Sequence, residues 1–242
     1  MGTVVGWWHC EGPGILNMLG ISLESWGRIR YGDDVDFVHP LSTVTPTLDA
    51  DVLAVLARAD QALTGREIYK IASRGSESGI RRVAERLVGE GVVLRESVGR
   101  AHHYRLNREH LAAPWIEGLA FLLDELLHRL RSAVERWDEP PLVAVVFGSV
   151  ARGEATASSD LDILVIRRGG GEPESAGWED QLFALQKQAT LWTGNDTRVL
   201  EFTEDELRSA PPEPALKEAA GSGIELYGPP AALRRLALGA TG

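Results

Sequence analysis

The chain predicts an α+β fold in two domains, and three observations carry that expectation. Between Leu48 and Leu111, three short amphipathic runs are followed by two β-rich runs. A long helical stripe then extends from Ala112 to Trp137. From Leu142 to Ile166, in LVAVVFGSVARGEATASSDLDILVI, two apolar strand-like runs bracket one polar turn, the pattern of strands buried in a sheet.

Composition sets the outer limits. The 242 residues are 44% hydrophobic, enough to fill two small cores. No run approaches the ~18 apolar residues of a membrane span, because Asp124 and Glu125 break the best candidate, Leu119–Leu127. The beginning, MGTVVGWWHCEGPG, lacks a basic region and a sustained apolar core, so secretion is not expected. A single cysteine, Cys10, excludes an internal disulfide and fits a reducing cytoplasm. The formal net charge of -10 argues against indiscriminate nucleic-acid binding and leaves room for a local basic face.

Residues 1–47 read as an irregular N-terminal segment, with Trp7, Trp8 and Trp26 scattered among glycine and proline. Leu48, Val52, Leu53, Val55 and Leu56 then form the apolar face of a first helix. Thr64 and Glu67 have the spacing of a capping box that opens a second helix, turning Ile68 and Ile71 inward. Ser76 is the expected N-cap of a third helix, which buries Ile80, Val83, Ala84 and Leu87. Gly79 inside it costs up to ~1 kcal/mol relative to alanine and either permits a close backbone approach or loosens the helix. Two strands, Val92–Arg95 and His102–Leu106, follow around a turn at Gly99-Arg100. His102 and His103 are adjacent, so a strand sends them to opposite faces and does not make a metal pair of them.

From Ala112 to Trp137, Trp115, Leu119, Leu123, Leu126, Leu130, Val134 and Trp137 recur at three or four residues. This predicts one connecting helix of about 35 Å at ~1.5 Å per residue. It is a core-packing stripe or, less directly, a homodimer surface. Asp138-Glu139-Pro140-Pro141 stops it and leads into residues 138–242.

In that second domain Asp160 and Asp162 are two apart at the start of a strand, so both carboxylates share a face. Two like charges so close raise a pKa or recruit a hard divalent cation such as Mg²⁺ or Mn²⁺. Gly148 lets the backbone approach an anion, and Ser149 offers its hydroxyl and N–H to a phosphate. Arg152 is a further phosphate ligand, or a structural arginine pairing with Glu154 or a helix end. Beyond Ile166, the stretch 167–177 with its three consecutive glycines reads as a loop. Trp178, Leu182, Leu185, Ala189 and Trp192 mark a helix, Thr197–Thr203 a strand, Pro211–Pro214 a linker into a short helix, Gly223–Gly228 a last strand, and Ala231–Leu238 a terminal helix.

Gly148-Ser149, Ala151-Arg152-Gly153 and Ser159-Asp160-Leu161-Asp162 resemble the signature of the DNA polymerase β-like nucleotidyltransferase superfamily, in its minimal, kanamycin-nucleotidyltransferase-like form. The resemblance implies that the Gly-Ser turn holds a nucleoside triphosphate and that Asp160 and Asp162 bind metal. It also implies a third carboxylate from a later strand. Val199-Leu200 stand where the family pattern places an aspartate, so Glu201, rigidly held in the strand, is the preferred substitute and Asp196 the alternative. Residues 48–111 resemble a winged helix-turn-helix domain. That resemblance implies double-stranded DNA as partner, with Ser76, Ser78, Arg81 and Arg82 entering the major groove and Arg100 at the wing tip. A chain of this kind could also begin naturally at Val35-Asp36-Phe37-Val38-His39-Pro40, from an alternative start codon. The leading expectation is a cytoplasmic enzyme that transfers a nucleoside monophosphate from an NTP to an acceptor. The runners-up are a DNA-binding regulator that senses a nucleotide and an interaction module with an inactive site.

Overall fold

The computed structural model describes residues 36–37, 39–169, 176–209, 214–229 and 232–238. By contact the chain divides into two units, Met1–Gly32 and Asp33–Gly242, and everything below concerns the second. Most of the irregular N-terminal segment, Cys10, the beginning proposed at Val35, most of the triple-glycine loop and most of the linker at Pro211 lie outside the described residues.

After a 3₁₀ turn at Pro40–Thr43, helix α1 (Leu48–Arg58) begins, followed by a two-residue strand β1 (Leu63–Thr64). Helix α2 (Gly65–Ala72) opens with the expected capping box. Thr64 Oγ1 accepts the Glu67 N–H at 3.3 Å, and Glu67 Oε2 accepts the Thr64 N–H at 2.8 Å. Helix α3 (Glu77–Gly89) is capped by Ser76, whose hydroxyl accepts the Gly79 N–H at 3.1 Å. Gly79 serves close approach: a Cβ there would stand 3.2 Å from a Leu48 methyl of α1. Strands β2 (Val93–Val98) and β3 (Ala101–Leu106) form an antiparallel hairpin, and β1 pairs with the outer edge of β3. Val52, Leu56, Ile68, Ile80, Leu87, Tyr104 and Leu106 close one core. Ile71, expected inward, is 59% exposed.

The predicted connecting helix is two helices, α4 (Ala113–Ala120) and α5 (Leu122–Glu135). The break falls at Phe121, whose backbone leaves helical geometry at φ -105, ψ 24. Arg58 accounts for it: its Nη2 donates to the Ala120 carbonyl at 2.7 Å, and its guanidinium lies 4.7 Å from the Phe121 ring centroid. The apolar stripe is thereby divided between two cores. Ala113, Ile116 and Ala120 face the first, whereas Leu126, Leu130 and Val134 face the second, and Trp115 is left 77% exposed.

The second core surrounds a mixed four-stranded sheet. It comprises β4 (Val143–Phe147), β5 (Leu161–Arg167), β6 (Thr197–Thr203) and β7 (Ile224–Tyr227) in the order β6-β5-β4-β7. Strand β4 is antiparallel to β5 and β7, whereas β5 and β6 run parallel. The short helix α6 (Gly148–Arg152) follows β4, and α7 (Ala176–Thr193) supplies the crossover from β5 to β6. Leu161, Ile163, Val165 and Val199 face α5 and α7. Val143, Val145, Leu164 and Ile166 face α8 (Glu204–Ser209), α9 (Pro214–Ser222) and α10 (Ala232–Leu238). Side-chain alternation thus sends the buried residues of β4 and β5 to one or the other of two covered faces.

Candidate active site

Antiparallel pairing of β4 with β5 sets Phe147 opposite Asp162, so the turn after β4 meets the acidic start of β5. The turn is glycine for two reasons. Gly148 has φ +74, and a Cβ on it would stand 2.6 Å from Asp162 Oδ2. Ser149, half-buried, follows Gly148 in the short helix that Gly153 closes in left-handed geometry. Burial of the Asp162 carboxyl, and then the negative charge of Asp160, push its pKa up, while Arg198 and Arg152 oppose the shift.

The approach to β5 is fixed from β6. The Leu161 N–H donates to the Asp196 carbonyl at 2.8 Å. The fully buried Asn195 amide donates to the Ser159 carbonyl at 2.9 Å and to that of Ala157 at 3.4 Å, pinning the loop that presents Asp160. Arg198 lies across the parallel ladder from Asp162, and its Nη2 stands 2.7 Å from Asp160 Oδ2. Sequence reasoning passed over Asn195 and Arg198. Both matter only through what they face on the β5 side, a register that only the paired strands reveal.

Glu201 is not brought to the aspartate pair. It lies opposite Val165 in the ladder, and its parity sends it to the other face of the sheet. There its Oε1 accepts the Trp178 indole N–H at 2.8 Å and the Arg167 Nε–H at 3.1 Å. Buried Trp178 needs a partner for its N–H, which makes Glu201 a structural acceptor. Asp196 stands one step ahead of the first β5–β6 pair, beside Asp160, and is exposed. Arg152 donates to Glu154 at 2.7 Å and pairs with Glu218 of α9.

Among the described residues no group of three or more His, Cys, Asp or Glu side chains could hold a metal ion. Asp160 and Asp162 nevertheless fit Mg²⁺ in the manner that ion favours, one or two carboxylates with the remaining positions left to water and phosphate oxygens. The space that a Cβ at Gly148 would fill is what allows the Asp162 carboxylate to sit there.

The residues expected to meet DNA are spread over α3 and the hairpin. Ser76 is engaged as the N-cap and lies 3.2 Å from the Ser78 hydroxyl. Arg81 pairs with Glu77 at 2.8 Å. Arg82 and Arg100 are exposed. No described helix is long and apolar enough to cross a membrane.

No curated protein matches the chain. Among solved structures, a crystal structure of a mutant form of the toxin-antitoxin MntA-HpeT is 14% identical with a TM-score of 0.35. The match covers 47% of this chain and 82% of that one. A crystal structure of the toxin-antitoxin with AMP-PNP is 21% identical with a TM-score of 0.31, covering 49% of this chain and 81% of that one. The family model described as "Nucleotidyltransferase domain" matches residues 127–211, from the middle of α5 to just past α8.

Proposed function

We propose that the chain transfers a nucleoside monophosphate from an NTP to an acceptor, with Asp160 and Asp162 as the metal-holding pair. The observation that carries this reading is the packing of Asp162 onto Gly148 with Asp160 two residues away, inside the segment that matches the nucleotidyltransferase family. In the reaction an acceptor nucleophile bonds to the α-phosphorus, the bond to the α,β-bridging oxygen breaks, and pyrophosphate leaves. A divalent cation held by Asp160 and Asp162 would supply charge neutralisation for the transferring phosphoryl group. Gly148 and Ser149 keep the turn open to the phosphates, and Asn195 holds the loop that carries Asp160. Asp196 is the carboxylate best placed to accept the acceptor's proton, since it neighbours Asp160 across the ladder.

The test is transfer of label from each α-labelled NTP with Mg²⁺ or Mn²⁺ into cell-lysate acceptors. Asp160→Ala/Asp162→Ala serves as the control. Label that persists in the double variant would sink the assignment.

A second reading has its own support. The Arg198 guanidinium holds Asp160 with a positive charge, and Glu201 is committed elsewhere, so among the described residues no third carboxylate joins the pair as a metal ligand. A site of that kind could bind NTP without efficient transfer. The residue 48–111 module, read as a winged helix on double-stranded DNA, would then report nucleotide occupancy through Ser76, Ser78, Arg81, Arg82 and Arg100. Nucleotide-dependent DNA binding that Asp160→Ala abolishes, with no label transfer in the wild type, selects this reading.

A further inference from the structure

A cavity of about 880 Å³ opens beside α1, away from the aspartate pair. Its walls are largely apolar, formed by Leu41, Ala54, Val55, Leu63 and Ile71. Small residues along α1, Ala50 and Ala54, leave the space that a larger side chain would fill. Ile71 faces outward, against its helical pattern, and stands on this wall.

One charged group lines the same cavity without being satisfied. Asp51 is 4% exposed, and its Oδ2 has no hydrogen-bond partner among the described residues. Its other oxygen has only a long contact, 3.4 Å, from Arg74 Nη1. A buried carboxylate left half-paired is unfavourable unless something donates to it. The first turn of α1 offsets part of that cost through the helix dipole but supplies no donor to Oδ2. The basic groups at the rim are already engaged: Arg58 bonds the Ala120 carbonyl and Asp124, and Arg74 is the partner of Asp51. The unfilled requirement is therefore for a hydrogen-bond donor, preferably cationic, on an apolar body.

We propose that this cavity is a binding site for an amphipathic organic cation, whose ammonium or amidinium group pairs with Asp51 while its apolar part lies against Val55, Leu63 and Ile71. An apolar pocket with one well-placed polar group is the usual form of a small-molecule site. The ligand reaches the turn between α2 and α3 through Arg74, which shares the Asp51 carboxylate. This site stands independently of the nucleotide reading.

The test is isothermal titration of the full chain with three probes: phenylbutylamine, its uncharged counterpart phenylbutanol, and butylamine, which lacks the apolar body. Saturable binding of phenylbutylamine is expected, with each of the other probes weaker by about tenfold or more, the range of a charge-assisted hydrogen bond or a buried ring. Asp51→Asn should weaken phenylbutylamine to the level of phenylbutanol. Ala54→Leu, which fills the cavity without touching the carboxylate, should abolish binding. Equal binding of amine and alcohol, unchanged binding in Asp51→Asn, or no saturable binding to the wild type would each overturn the proposal. The comparison among probes on the wild type decides the matter even if a variant fails to fold.

Discussion

The start of β5 and the exposed face of the α3–hairpin module treat charge in opposite ways. On the module, carboxylates answer most of the arginines: Arg81 meets Glu77, Arg86 meets Asp49 and Glu90, Arg95 meets Glu85, and Arg105 meets Glu96. At the start of β5 two half-buried carboxylates are set side by side, beside a glycine held at positive φ. Exposed pairs of the first kind contribute ~0–1 kcal/mol each and are ordinary surface. The second arrangement opposes folding, and such local conflict collects where chemistry is done. The difference explains why the aspartates carry a functional reading on their own, whereas the basic residues of the module do not.

The sharpest way to break the contrast is to remove the close packing while leaving both carboxylates in place. Gly148→Ala puts a methyl where Asp162 Oδ2 now sits and forces a left-handed backbone onto a residue with a Cβ. Backbone strain of ~1–2 kcal/mol is expected in urea denaturation. Displacement of the carboxylate by about 1 Å should lower label transfer on the order of 10²-fold. Wild-type transfer rates in Gly148→Ala would show that the Asp162 position is not critical.

The module's side of the contrast is tested where its charges are unpaired. Among the described residues, Arg82 and Arg100 are exposed and enter no ion pair, unlike Arg81. If the module binds double-stranded DNA, Arg82→Ala with Arg100→Ala should reduce the slope of log K against log salt by about one per lost phosphate contact. An affinity loss of about tenfold should accompany it at moderate salt. An unchanged slope, read by fluorescence anisotropy across a salt series, would reassign this face to a protein partner.

A smaller effect concerns the cation paired with Asp160. Arg198 opposes any metal ion at Asp160, so Arg198→Ala should tighten Mn²⁺ binding in the absence of nucleotide. Both partners are partly exposed, which limits the gain to a few-fold, the scale of a surface ion pair. Mn²⁺ titration followed by electron paramagnetic resonance reads it directly. Weaker Mn²⁺ binding in the variant would mean that Arg198 positions Asp160 and does not compete for it.

What was legible in the sequence divides along the same line as the chemistry. Gly148, Ser149, Asp160 and Asp162 could be placed because their relation is local: a turn, a period of two, and one hairpin-like pairing. Glu201 was misplaced because its face depends on the parallel register of β6 against β5, where one residue of parity exchanges core and site. Asn195 and Arg198 went unnoticed for the same reason. The break at Phe121 lay beyond reach because its cause, Arg58, is on another helix. Helix α8 had a readable signal, the reciprocal capping of Thr203 and Glu206 at 2.7 and 3.2 Å, but it is too short to show periodicity.

The least dramatic change isolates the conflict itself. Burial and the charge of Asp160 raise the Asp162 pKa in the folded protein, so the native state binds this proton more readily than the unfolded chain does. Between the ordinary carboxylate pKa and the raised one, stability must therefore fall as pH increases, and above that window the full penalty is present. Asp162→Asn removes the charge without removing the shape. The metal-free variant should melt slightly higher than the wild type at neutral pH, and the gap should close on acidification through the window, as the wild-type carboxyl takes up its proton. Added Mn²⁺ should act in the opposite sense, raising the wild-type melting temperature and leaving the variant almost unmoved. A variant that melts below the wild type at neutral pH would mean that Arg198 and Arg152 more than compensate the burial of Asp162, and that the site is satisfied before any ligand arrives.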